Sequence, residues 1–173
     1  MSKTGRILFQ VVLFASFGTL MFISDIAMEV LPNIHLLATF IITFTVVYRV
    51  KALIPIYVYV FLTLLYSGFS PWSIPYLYIW TVLWGFAMLL PKTMSPAVAA
   101  VVYMVVAGLH GILFGVLYAP AQSLMFGLNF KQTLTWIAMG LPFDITHCIG
   151  NVVSGILILP LVKVLRKLPG AVH

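Results

Sequence analysis

The sequence predicts an all-α integral membrane protein: one domain over residues 1–173, six transmembrane helices, both termini in the cytoplasm. Three observations predict it. Apolar residues make up 63% of the 173 and charged residues only 7%, with a mean hydropathy of +1.16, whereas soluble domains carry about 25% charged residues. The apolar residues form six runs between Pro, Gly and charged breaks. Eight of the nine Lys and Arg fall as the positive-inside rule requires. The hydrophobicity excludes a disordered chain. The single cysteine, Cys148, excludes a disulfide scaffold. The excess of nine cations over three acids is too sparse for a basic patch, so no nucleic-acid partner is expected.

A helix needs about 20 mostly apolar residues to cross the hydrocarbon core. The first run, Ile7–Val30, follows Lys3 and Arg6 and could open a signal peptide. No small-x-small cleavage site follows and the run ends in Ser24-Asp25, so a retained helix is expected. Asp25 and Glu29, four apart, share one face of it. The second run, Ile34–Val50, begins beside His35. The third, Ala52–Tyr66, and the fourth, Pro75–Leu90, are short. Tyr76, Trp80 and Trp84 form an aromatic stripe on the fourth. The fifth, Ala97–Tyr118, carries Ala107, Gly111 and Gly115 at four-residue spacing, a small-residue face for close packing. The connection Ala119–Gln132 holds Pro120 and Gly127 and is not expected to form one long helix. The sixth, Phe143–Val164, follows Pro142, which suits a first-turn position, and carries the small pair Gly150 and Ser154. A β-barrel is excluded because barrel strands alternate apolar and polar residues. No segment repeats another convincingly, so an inverted-repeat transporter has no support.

Topology follows from the cations. With both termini inside, Lys3, Arg6, Arg49, Lys51, Lys92, Lys163, Arg166 and Lys167 are cytoplasmic, and only Lys131 is outside.

All three acids, Asp25, Glu29 and Asp144, lie in or beside apolar runs. Ionisable groups at membrane depth usually face the protein interior, a partner or water; for Asp25 and Glu29 an interfacial helix end is the plainer alternative. Asp144, His147 and Asn151, spaced i, i+3, i+7, make one polar stripe on the sixth helix, although Asp144 could merely complement the helix dipole. His35 is expected at the same outer level, and His110 is a weaker candidate. Interfacial anchoring accounts for Trp72 and Tyr76 but poorly for Trp84, which leaves stacking on a ligand. These groups gather in the outer half, as suits a pocket opening outward. Asp25, Asp144, His147 and Asn151 would hydrogen-bond a ligand, Trp80 and Trp84 would pack against it, and Ala119–Gln132 would partly cover it.

Enzymatic motifs are missing. There is no phosphate loop or H-E-x-x-H and no nucleophile elbow, and no cofactor or metal is implied. His147 and Ser154 sit about 10 Å apart along one helix, too far for a nucleophile–base pair.

Three segments carry a resemblance to a known family: Leu31-Pro-Asn-Ile-His35-Leu-Leu; Pro75-Tyr-Leu-Tyr-Ile-Trp-Thr-Val-Leu-Trp84-Gly; and Pro142-Phe-Asp144-Ile-Thr-His147-Cys-Ile-Gly-Asn151, continuing to Pro160-Leu-Val-Lys-Val-Leu-Arg-Lys. With six short helices and a basic end, the chain resembles the S component of an energy-coupling factor (ECF) transporter of the bacterial plasma membrane. The resemblance implies a vitamin-binding subunit that docks on a transmembrane coupling protein and two cytoplasmic ATPases. Cobalamin or a related corrinoid, in a branch once linked to queuosine precursors, is the favoured substrate; pantothenate, folate and pyridoxine-like compounds stay open. The family's docking signature, two alanines four apart on the first helix, is matched only in part by Ala15, Ser16, Gly18 and Thr19. An MreD-type membrane scaffold and a proton-coupled transporter using the three acids are the alternatives.

Overall fold

The computed structural model describes residues 2–168 and 171, and all regular structure among them is helical. Eight α-helices follow in order: α1 Lys3–Ala27, α2 Leu37–Tyr48, α3 Leu53–Ser67, α4 Tyr76–Met88, α5 Pro96–Ile112, α6 Phe114–Phe126, α7 Phe130–Gly155 and α8 Ile158–Leu165. Three stretches are long and apolar enough to cross a membrane: Lys3–Ala27, Leu37–Ser67 and Pro96–Phe126. The pair Phe130–Gly155 and Ile158–Leu165, bent by 46°, makes a fourth.

The stretch Leu37–Ser67 is not one straight rod. Straight, it would put Tyr59 about 33 Å from Leu37 at 1.5 Å per residue. Yet Trp80 lies against both His35 and Tyr59, with ring centroids at 5.9 and 6.1 Å. The chain therefore doubles back in the 3-10 turn Arg49–Ala52, where Arg49 takes a φ of +53°. The end of α4 clamps that turn. The Arg49 guanidinium donates to the Met88 carbonyl at 2.6 Å, and the Trp84 indole donates to the Arg49 carbonyl at 3.2 Å.

The centre of the bundle is α2, in which every residue but Val46 is buried. A helix apolar on all sides belongs in the interior. Phe14 and Phe17 of α1 pack on Tyr48 and Phe44, at 5.2 and 4.4 Å between centroids. The outward face of α1, including Leu8, Val11 and Ile23, is exposed, the pattern of a lipid-facing surface. Gly18 departs from the docking face expected of it. It is buried, and a Cβ there would stand 2.5 Å from Val58 and 2.8 Å from the Pro55 carbonyl. Ala15, Ser16 and Thr19 are exposed.

The second half of the chain corrects two sequence expectations and bears out a third, since the stretch 119–132 does not form one long helix. Residues 119–132 are mostly helical: α6 runs to Phe126, Gly127 turns in the left-handed region at φ +62°, and α7 starts behind Asn129. Asn129 and Gln132 close a capping box, with each side chain accepting from the other's backbone N–H at 3.0 and 2.8 Å. Pro142 lies inside α7 rather than in a first turn. The fifth and sixth apolar runs each divide, at Leu113 and near Leu157, which raises the helix number from six to eight. The arms α5–α6 and α7 run antiparallel: Gly155 meets Met104, and Gly111 meets Cys148, while farther along Ser123 bonds Thr133 at 2.7 Å. The small residues predicted to pack do so, since Gly111 and Gly115 lie on the α7 backbone and on Asp144.

Candidate functional site

A cleft of about 230 Å³ opens at the end of the bundle where α1 and α3 finish. Its polar lining includes Asp25, Glu29, Asn33, His35, Thr63 and Ser67. The connection between α1 and α2 runs along it, with Asn33 in the left-handed region at φ +62°, and Gly150 of α7 lies beside Ile34 of this connection. Asp25 accepts a hydrogen bond from the Tyr59 hydroxyl at 2.9 Å, so one carboxylate oxygen is held within the bundle.

His35 joins this cleft to a buried cluster. Its ring meets His147 edge-on at 4.5 Å and Trp80 at 5.9 Å, and its Nδ1 accepts from the Leu37 N–H at 3.3 Å. Trp80 stands at the middle of the cluster, with Tyr76, His110 and Phe114 within 5.8 Å of its centroid. Phe114 also packs on His147 at 4.6 Å. Trp80, His110 and His147 are at most 2% exposed. Trp80 Nε1, His110 Nδ1 and His147 Nε2 are buried without a hydrogen-bond partner among the described residues. Each such group typically costs about 1–3 kcal/mol, so each calls for a partner, either ordered water or a bound solute. The imidazoles and the indole offer nitrogen donors and acceptors set among flat apolar faces, a lining suited to a ring-bearing polar molecule. No group of three or more His, Cys, Asp or Glu among the described residues is arranged to hold a metal ion.

Of the residues singled out in the sequence, Asp25, His35, Tyr76, Trp80 and His147 come together here. Asp144 and Asn151 share the predicted face of α7, but that face is turned to α5 and α6. The Asp144 carboxylate accepts from the Gly115 N–H at 3.0 Å, just past the break at Leu113, and the Asn151 amide donates to the Ala107 carbonyl at 3.1 Å. Both pin helices together. Trp84 stands apart, on the Arg49 turn at the far end of α4. The segment Ala119–Gln132 does not line the cleft; the Met28–His35 stretch does. Tyr59 and Phe114 were missed, and His110 was underweighted, although His110 and Phe114 are four apart and so share a helix face. No family model, curated protein or solved structure matches the chain.

Proposed function

We propose that this chain is the substrate-binding S component of an ECF-type importer in the bacterial plasma membrane. It would capture a small ring-bearing vitamin and deliver it inward on an ATP-driven module. The observation that carries the reading is the set of three unpartnered ring nitrogens on Trp80, His110 and His147, reached from a polar cleft through His35. A cleft of about 230 Å³ is below the usual range of about 300–1,000 Å³ for ligand pockets. It suits a single heterocycle better than a corrinoid, which would rest largely outside at the mouth. Mass spectrometry of the small molecule that copurifies with detergent-solubilised protein tests the reading. A heterocyclic vitamin or queuosine precursor at near-stoichiometric yield is expected. No copurifying compound, and no stabilisation by any vitamin, would favour an MreD-type scaffold.

The same reading has the chain crossing the bilayer six times with both ends in the cytoplasm. Its support is the gathering of cations at the end opposite the cleft: Lys51 bonds Gln10 at 3.3 Å, and Lys92, Lys163 and Arg166 line one cavity. Lys131 lies at the tip of the α6–α7 turn. In a Cys148→Ser background, a cysteine at position 131 is expected to react with an impermeant reagent from outside only, and one at position 163 from inside only. The reverse pattern at either position sinks the orientation.

Docking on the coupling protein would use the exposed small residues Ala15, Ser16 and Thr19 on α1. Ala15→Trp is expected to abolish ATP-driven uptake while binding survives, because a bulky side chain separates helices that must approach closely. Gly18→Trp would instead break the α1–α3 contact. Uptake that survives Ala15→Trp moves the docking face elsewhere. A proton-coupled transporter using Asp25, Glu29 and Asp144 predicts uptake without any ATPase partner.

A further inference from the structure

At the end opposite the polar cleft, a second cavity of about 230 Å³ lies between the start of α5, the α4–α5 connection and α8. Lys92, Lys163 and Arg166 supply its charge, and Met94, Leu159 and Val162 supply apolar walls. No acid shares it, since Asp25 and Asp144 are held at the other end by Tyr59 and Gly115 and Glu29 lines the polar cleft. Tyr103 also lines the cavity. It is 4% exposed. The α5 N-terminus faces the same region, with Ser95 capping Val98 and Pro96 in the first turn, so its dipole adds to the positive field.

The geometry points to a binding site for a phosphate-bearing anion, seated as the headgroup of an anionic phospholipid. Three cations and the Tyr103 hydroxyl suit a phosphate's several acceptor oxygens. The apolar walls of Met94, Leu159 and Val162 favour a phosphate that carries acyl chains over a free one. Ile158 and Val162, 0% and 1% exposed, anchor α8 to the bundle. That leaves Lys163 and Arg166 exposed on it, which the proposed six-span orientation puts at the depth of lipid headgroups, where basic pockets recognise them. This inference does not depend on the identity of the transported solute.

The test uses the full chain in detergent, titrated by native mass spectrometry with phosphatidylglycerol, phosphatidylcholine and inorganic phosphate. Phosphatidylglycerol is expected to bind at least tenfold more tightly than phosphatidylcholine, and millimolar phosphate is expected to displace little of it. Lys163→Gln and Arg166→Gln are each expected to weaken phosphatidylglycerol about fivefold, the size of one cation's attraction at an anionic surface. These side chains are exposed, so folding is not at risk. Tyr103→Phe, which keeps the ring, is expected to weaken binding several-fold, and Lys131→Gln, at the opposite end, to change nothing. Equal binding of the two lipids overturns the site. So does an equal loss in Lys131→Gln, or none in Tyr103→Phe, either of which would mean diffuse charge attraction. Displacement by phosphate at matching affinity would reassign the cavity to a soluble phosphate and overturn the lipid assignment.

Discussion

Gly111→Ala is expected to lower the thermal stability of this protein more than any other single added methyl group on α5. A Cβ at that position would stand 2.8 Å from both Cα and N of Cys148 and 2.9 Å from the carbonyl carbon of His147. All three are backbone atoms, so no rotamer change relieves the contact and the α5 and α7 arms must separate. Overpacking typically costs about 1–3 kcal/mol, and a backbone–backbone clash belongs at the upper end of that range. Gly140 in α7 is the control, because a Cβ there meets nothing within 4 Å. Gly140→Ala removes a helix-interior glycine and is expected to stabilise by up to about 1 kcal/mol. Unfolding midpoints in one detergent decide between them. Equal midpoints for the two variants would mean that the α5–α7 contact is looser than described, and that the placement of His147 beside it fails too.

The contrast between those glycines shows what the sequence made legible. The four-residue spacing of Ala107, Gly111 and Gly115 announced a close helix contact, and the apolar runs announced helices throughout. The reversal at Arg49 was announced only as the charged break between the second and third runs; its geometry left no signal, because an arginine at φ +53° is held by tertiary hydrogen bonds from α4 and not by local preference. Pro120, Gly127, Lys131 and Pro142 read as boundaries, yet both prolines lie inside helices. A legible signal was there, since Asn129 followed three residues later by Gln132 is a capping-box pattern. At the site, the i, i+3, i+7 spacing placed Asp144, His147 and Asn151 on one face. What that face meets depends on the break at Leu113, which leaves the Gly115 N–H for Asp144 and carries no sequence signature. Trp84 was grouped with Trp80 by spacing alone. On a helix of 13 residues, one further turn carries it past the cluster to the Arg49 turn.

His147→Phe separates a binding role from a packing role, because the two predict opposite signs. His147 is 2% exposed, and its Nε2 has no partner among the described residues. Replacing it with a ring of similar size removes a desolvated polar group, so the unliganded protein is expected to unfold at an equal or higher temperature. If the nitrogen holds the solute, the loss of one buried hydrogen bond is expected to weaken binding about 5- to 100-fold, at about 1–3 kcal/mol per bond and about 1.4 kcal/mol per tenfold. Trp84→Phe is expected to do the reverse. It loses the indole bond to the Arg49 carbonyl, which typically contributes about 1 kcal/mol, and leaves affinity unchanged. The readouts are the unfolding midpoint and the molar yield of the copurifying compound. A His147→Phe protein that is stable and retains that compound at the wild-type yield would remove His147 from the site. A loss of yield in Trp84→Phe equal to that in His147→Phe would show that the far end of α4 belongs to the site after all.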